Sequence, residues 1–97
     1  MTYMAKNALN PRLEVFPQTA KINKEGHLEV GGCDMAALSK EYGTPLYVFD
    51  EADLRVRCRE YLTEFGGRYP DVTIAYSPKA FTAKATIKLV MEEGLDL

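Results

Sequence analysis

The stretch that decides the fold class is residues 72–97, VTIAYSPKAFTAKATIKLVMEEGLDL. Its first five residues, 72–76, are mostly branched or aromatic and predict a strand. Thr82 is suited to cap a following helix, which Gly94 is expected to end before residues 95–97 begin a second strand. The residues predicted to form the buried face of that helix are Ala83, Ile87, Val90 and Met91. The order strand, helix, strand indicates a βαβ unit, whose uncovered sheet edges and apolar face lead us to expect a part of a larger α/β protein.

Upstream of this unit, alternating apolar residues around the turn at 23–26 predict a β-hairpin over residues 20–30, closed by two glycines. Asp34 is expected to cap a short helix that ends at Gly43. The apolar run 46–49 follows a proline and predicts a short strand.

Asp50 is the expected N-cap of a longer helix, with acidic residues in the first turn, where the helix dipole favours them. The apolar residues at helical spacing in that helix are Leu54, Cys58, Tyr61, Leu62 and Phe65. A pair of glycines, 66–67, is expected to end it. Residues 1–19 contain two prolines and predict an irregular lead-in.

Composition excludes several classes of function. The chain has 97 residues, a formal net charge of −2 and a pI near 5.4, so neither nucleic acid nor a membrane is expected as a partner. No signal peptide or spanning segment is predicted, and the cytoplasm is the expected location. Cys33 and Cys58 are too far apart for a CxxC pair, so we expect two reduced thiols and no metal site. The single histidine, His27, is predicted to be a solvated turn residue.

Lys79 stands out among the candidate catalytic residues because of its position. The motifs GxSxG, GxxxxGK[ST], GxGxxG and HExxH are all absent from the sequence. Lys79 directly follows the predicted strand 72–76 and precedes a helix, and such positions line the active-site face of parallel α/β proteins. A partly desolvated lysine there can form a Schiff base with an aldehyde. Position alone leaves open that Lys79 is an ordinary surface residue.

Several segments, in order along residues 20–97, resemble the diaminopimelate decarboxylase family. They are GHLEVGG at 26–32, EYGTPLYVFDE at 41–51, YSPKAF at 76–81, TAKA at 82–85 and VMEEGL at 90–95. The segment at 76–81 resembles the family's cofactor-lysine motif, although Phe81 stands where the family often has asparagine.

The resemblance implies an alanine-racemase-like enzyme with a pyridoxal-phosphate-binding (β/α)8 barrel and a separate β-domain. Residues 1–19 would then be an irregular lead-in, 20–49 a hairpin and strand of the β-domain, and 50–97 the incomplete start of the barrel. Lys79 would be the catalytic lysine that anchors pyridoxal 5′-phosphate, and Tyr76 would lie against the cofactor.

The implied reaction of the full enzyme is decarboxylation of meso-2,6-diaminopimelate to L-lysine and carbon dioxide, by a homodimer acting on this amino acid. The rest of the family's active site belongs to segments that follow these 97 residues, so we expect the chain alone to be inactive. Two alternatives stay open: a related decarboxylase acting on ornithine, arginine or carboxynorspermidine, and a non-catalytic module that binds pyridoxal phosphate.

Overall fold

The computed structural model describes residues 14–97, which form a mixed α/β structure. The described residues form two compact units that meet in sequence at Asp53 and Leu54, so the first unit is 14–53 and the second is Leu54–Leu97. The prediction for residues 1–13 lies outside the described residues.

The first unit contains the predicted hairpin. Strands β1 (Lys21–Ile22) and β2 (Leu28–Val30) pair antiparallel, with Ile22 opposite Leu28. Their turn is organised by Asn23, whose side-chain oxygen accepts hydrogen bonds from the backbone amides of Glu25 and His27, both at 3.0 Å. Such side-chain mimicry of a turn is the reason that asparagine is favoured there.

A third strand, β3 (Cys33–Asp34), was not predicted. It pairs antiparallel with β2 in the sheet order β1-β2-β3. Gly31 and Gly32, expected only to close the first hairpin, make the two-residue turn between β2 and β3 with φ values of 60° and 80°. Two successive positive φ values suit a tight hairpin turn and favour glycine at both positions.

Helix α1 (Met35–Tyr42) begins and ends as predicted. The Asp34 side chain accepts hydrogen bonds from the backbone amides of Ala36 and Ala37, which α1 itself leaves without partners. Gly43, at φ 83°, ends the helix, and its amide donates a hydrogen bond to the Ser39 carbonyl.

A small apolar cluster and a buried carboxylate hold the first unit together. Ala20 and Val30 are buried, with Leu28 and Met35 packed against them. Beside the sheet, the buried Asp50 accepts a 2.5 Å hydrogen bond from the Thr19 hydroxyl, which in turn accepts one from the Gly31 amide.

The strand predicted at 46–49 is absent, and that prediction was wrong. No β-ladder forms there, and the four side chains from Leu46 to Phe49 are 39–90% exposed. An apolar run becomes a strand only where it joins a β-ladder, and the described residues form none at 46–49.

Helix α2 (Glu51–Gly66) is capped by Asp50, whose carboxylate accepts a hydrogen bond from the Ala52 amide. In the second unit, Cys58 is buried, and Leu54 and Leu62 pack against the same cluster. Tyr61 and Phe65 are exposed and stack on each other, with ring centroids 6.3 Å apart.

The predicted βαβ unit is present in a minimal form. Instead of a strand over 72–76, a single parallel bridge joins Ala75 to Asp96. The bridge consists of two hydrogen bonds. The Tyr76 amide donates to the Asp96 carbonyl at 2.7 Å, and the Asp96 amide donates to the Ile74 carbonyl at 2.9 Å. The two chain segments therefore run in the same direction, as a βαβ connection requires.

Helix α3 (Lys84–Glu92) connects the two bridged segments, but its predicted cap and buried face were partly wrong. Ala83 occupies the N-cap position without a side-chain bond, and the Thr82 hydroxyl donates instead to the Pro78 carbonyl. The buried residues are Thr86, Leu89 and Val90, whereas Met91 is exposed. The face is fixed by contact with Cys58, Leu95 and their neighbours, which the helix sequence alone does not reveal.

Candidate functional site

Lys79 lies on a 3-10 turn, Pro78–Ala80, that directly follows the parallel bridge. Pro78 suits the first position of such a turn because its φ is fixed and it has no amide proton to leave unpaired. The Ala80 amide donates to the Ser77 carbonyl at 3.2 Å, and the Thr82 hydroxyl reaches back to the Pro78 carbonyl. The backbone around Lys79 is therefore held by local hydrogen bonds on both sides.

The side chain of Lys79 is exposed and has no partner within residues 14–97, since no carboxylate forms an ion pair with its amine and no acceptor binds it. The amine of Lys79 is therefore accessible from solvent, whereas the sequence led us to consider a partly desolvated lysine at this position. The predicted strand before Lys79 is reduced to the single parallel bridge at Ala75, four residues before the lysine.

Tyr76 is tied to the same turn through its hydroxyl, which donates a 2.8 Å hydrogen bond to the Phe81 carbonyl. Its half-buried ring packs against the cluster that contains Cys58, Leu89 and Val90. Tyr76 thus joins the core of the second unit to the turn that carries Lys79.

Curated proteins similar to the chain share one name. A diaminopimelate decarboxylase of Bacillus methanolicus is 46% identical over 82 residues, which are 84% of this chain and 19% of that protein. Those of Synechocystis sp. and Bacillus subtilis are 39% and 44% identical over 87 and 79 residues, or 89% and 81% of this chain and 19% and 18% of those proteins. No family model matches.

The chain belongs to the diaminopimelate decarboxylase family. It spans about a fifth of the length of the curated relatives that it matches. Within residues 14–97 of this family member, no helix is both long and apolar enough to cross a membrane.

An ion-pair network that was not predicted joins α2 to the end of α3 in this relative of the decarboxylases. Glu93 accepts hydrogen bonds from Arg59 at 2.7 and 2.9 Å and from Arg55 at 2.9 Å, and Arg55 also contacts Glu92. These bonds, from Arg59 first and Arg55 second, hold the pKa of Glu93 below its ordinary value. The signal in the sequence is the i, i+4 spacing of the two arginines, which places them on one side of α2.

Cys33 and Cys58 are not joined by a disulfide; Cys33 is exposed and Cys58 is buried. Burial raises the pKa of the Cys58 thiol, with the charge of Glu93 as a second cause. A thiol with a raised pKa stays protonated and is a poor nucleophile, so Cys58 is a packing residue.

The structure also brings together three side chains of the first unit that the sequence did not associate, Glu25, His27 and Asp34. His27 lies at the turn and is exposed, as predicted, yet its Nδ1 is 2.9 Å from the Asp34 carboxylate.

Proposed function

We propose that this chain supplies the cofactor-anchoring lysine of a diaminopimelate decarboxylase, with Lys79 as the residue that attaches to pyridoxal 5′-phosphate. The observation that carries the proposal is the exposed, unpaired amine of Lys79 on a braced turn, directly after a parallel bridge. In parallel α/β proteins this edge is where active sites form. The names of the similar proteins favour diaminopimelate over the substrates of related decarboxylases.

The residues present fit an aldehyde cofactor because they include a lysine amine that such a cofactor can reach. The amine of Lys79 is accessible, and no carboxylate of residues 14–97 competes for it. When bound, pyridoxal phosphate supplies an electron sink that makes loss of carbon dioxide from an amino acid feasible.

The chain's own residues contribute attachment and positioning. Lys79 holds the cofactor, while Ser77, Pro78 and Thr82 fix the turn by the bonds that surround it. Tyr76, proposed to lie beside the cofactor, anchors the same turn to the core of the second unit. A reacting group must be held close to its productive geometry. The hydrogen bonds around the turn hold the backbone of Lys79 in this way.

The activity of the whole protein follows as part of the same proposal: decarboxylation of meso-2,6-diaminopimelate to L-lysine and carbon dioxide. Four features stay predictions: residues 50–97 as the incomplete start of a (β/α)8 barrel, residues 20–49 as a hairpin and strand of the β-domain, the homodimer and the cytoplasmic location. Because the chain spans about a fifth of its relatives, we expect the 97 residues alone not to release carbon dioxide from diaminopimelate.

The test is covalent trapping. The full-length protein that contains this chain is loaded with pyridoxal phosphate, reduced with borohydride, digested and mapped by mass spectrometry. A pyridoxyl group is expected on Lys79 and is expected to disappear in Lys79→Ala but to remain in the control Lys84→Ala, which removes an exposed lysine from the start of α3. An adduct confined to another lysine of a loaded, active protein would rule out the assignment.

A further inference from the structure

The side chains of Glu25, His27 and Asp34 converge where the first hairpin meets the start of α1. Their ligand atoms all lie within 4.8 Å of one another. His27 Nδ1 is 2.9 Å from Asp34 Oδ2 and 3.6 Å from Glu25 Oε2. We propose that these three residues bind a divalent transition-metal ion, with Zn²⁺ as the representative ion, and that this ion ties the hairpin turn to the N-terminus of α1.

The spacing of His27 Nδ1 from each of the two carboxylates matches a metal centre. At zinc–ligand distances of about 2.0–2.2 Å, two neighbouring ligands lie about 2.8–3.6 Å apart, depending on whether the geometry is octahedral or tetrahedral. The two distances from His27 Nδ1 fall in this range. The Glu25 side chain is 74% exposed and is therefore free to adjust toward the ion.

Two of the three ligands are held in place by other groups. Asp34 accepts hydrogen bonds from the Ala36 and Ala37 amides through one oxygen and from the Asn23 amide group, at 2.9 Å, through the other. The same Asn23 binds the backbone amides of Glu25 and His27. Partners of this kind, which orient the ligands without touching the ion, are characteristic of metal sites.

The donor set selects the class of ion. One imidazole nitrogen and two carboxylates suit zinc and its neighbours in the first transition row, whereas calcium and magnesium prefer oxygen ligands alone. Two carboxylates balance the charge of a divalent ion. Binding requires the lone pair of Nδ1, so a proton on that nitrogen moves to Nε2 in neutral imidazole or is released from the cation.

The site is built from residues of the first unit, whereas Lys79 belongs to the second, and the proposal does not rest on the proposed decarboxylase activity. The proposal departs from the expectation of no metal site, which considered the two cysteines as ligands and did not bring Asp34 together with His27. Glu25 and His27 are neighbours in the turn, but Asp34 joins them only because β3, which was not predicted, pairs with β2.

The experiment is a titration of the full chain with Zn²⁺, followed by NMR of the histidine ring. His27 is the only histidine, so its ring signals report on the site without ambiguity. We expect these signals to shift and saturate at one equivalent of Zn²⁺, with no response to Ca²⁺. Zn²⁺ is also expected to raise the unfolding midpoint of the wild-type chain, because an ion that binds only the folded state stabilises it.

Calorimetric titration of variants completes the test. Loss of an outer-shell partner costs about 10–100-fold in metal affinity, so His27→Ala, which removes a direct ligand, is expected to cost at least as much. Glu25→Gln should weaken binding, and Glu41→Gln, an exposed acid on α1, should leave it unchanged. Circular dichroism establishes that each variant is folded.

Three results would each overturn the proposal: ring signals that do not respond to excess Zn²⁺, equal affinity in His27→Ala and wild type, or a sulfur-to-metal absorption band when Co²⁺ replaces Zn²⁺. The last result would place the ion on the exposed Cys33 thiol instead.

Discussion

The Tyr76 hydroxyl donates a 2.8 Å hydrogen bond to the Phe81 carbonyl and so spans the 3-10 turn that carries Lys79. The ring of Tyr76 is packed against the core of the second unit, while its amide holds the parallel bridge to Asp96. One residue therefore links the strand, the core and the proposed cofactor lysine.

Removing this hydroxyl should loosen the turn without unfolding the chain. We expect Tyr76→Phe to lower the free energy of unfolding by about 0.5–1.5 kcal/mol, the usual value of one neutral hydrogen bond. Hydrogen exchange of the backbone amides at 77–81 should become faster. The control is Tyr69→Phe, which removes a hydroxyl that has no hydrogen bond within residues 14–97. Equal effects of the two changes would show that the Tyr76 hydroxyl does not brace the turn.

Lys79 is expected to matter for chemistry and not for folding. Since its side chain is exposed and has no partner within residues 14–97, Lys79→Ala should change the free energy of unfolding by no more than about 0.5 kcal/mol. Urea denaturation of the full chain measures this. A loss well above 1 kcal/mol (about twice the usual surface effect) would mean that Lys79 has a structural role and would weaken its assignment as a free amine.

The buried face of α3 can be tested by a matched pair of truncations. Leu89 is 7% exposed and Met91 is 57% exposed, although the sequence predicted Met91 to be buried. Leu89→Ala should therefore cost about 2–4 kcal/mol through lost packing, and Met91→Ala less than about 1 kcal/mol. Thermal or urea unfolding of the two variants gives the comparison. If Met91→Ala lowers the free energy of unfolding more than Leu89→Ala does, α3 does not bury the face that contains Leu89.

Features set by neighbouring residues were predictable from the sequence. Asp34 and Asp50 cap the helices that they were expected to cap, and Gly43 ends α1, because these roles depend on a side chain and the next few amides. The turn around Asn23 was predictable for the same reason. The parallel direction of the segments that flank α3 was also predictable, although only one bridge forms where a strand was expected.

Features that depend on residues far apart in the sequence were not predictable. Residues 46–49 have the composition of a strand but form no β-ladder within 14–97. Strand β3 consists of Cys33 and Asp34, which the hairpin pattern did not indicate. The orientation of α3 depends on contacts with Leu95 and α2. The convergence of Glu25, His27 and Asp34 depends on β3, so no local pattern could have indicated it.

Acid should weaken the first unit through Asp34. The hydrogen bond from His27 is the main cause that lowers the pKa of this carboxyl from 3.8 to about 2, opposed by partial burial and assisted by Asn23 and two backbone amides. A depressed pKa means that the unfolded chain takes up the proton first. The stabilisation is therefore complete above pH 3.8 and is lost as the pH falls from there through about 2.

The measurement is the unfolding free energy of wild type and His27→Ala at several pH values across that window, without added metal. We expect the wild type to be the more stable protein above pH 3.8 and the difference to shrink toward pH 2, as Asp34 becomes protonated in the folded state. The comparison cancels the carboxylates that do not contact His27, which are all of the described ones except Asp34 and Glu25. A difference that stays constant across the window would show that His27 does not stabilise the ionised form of Asp34.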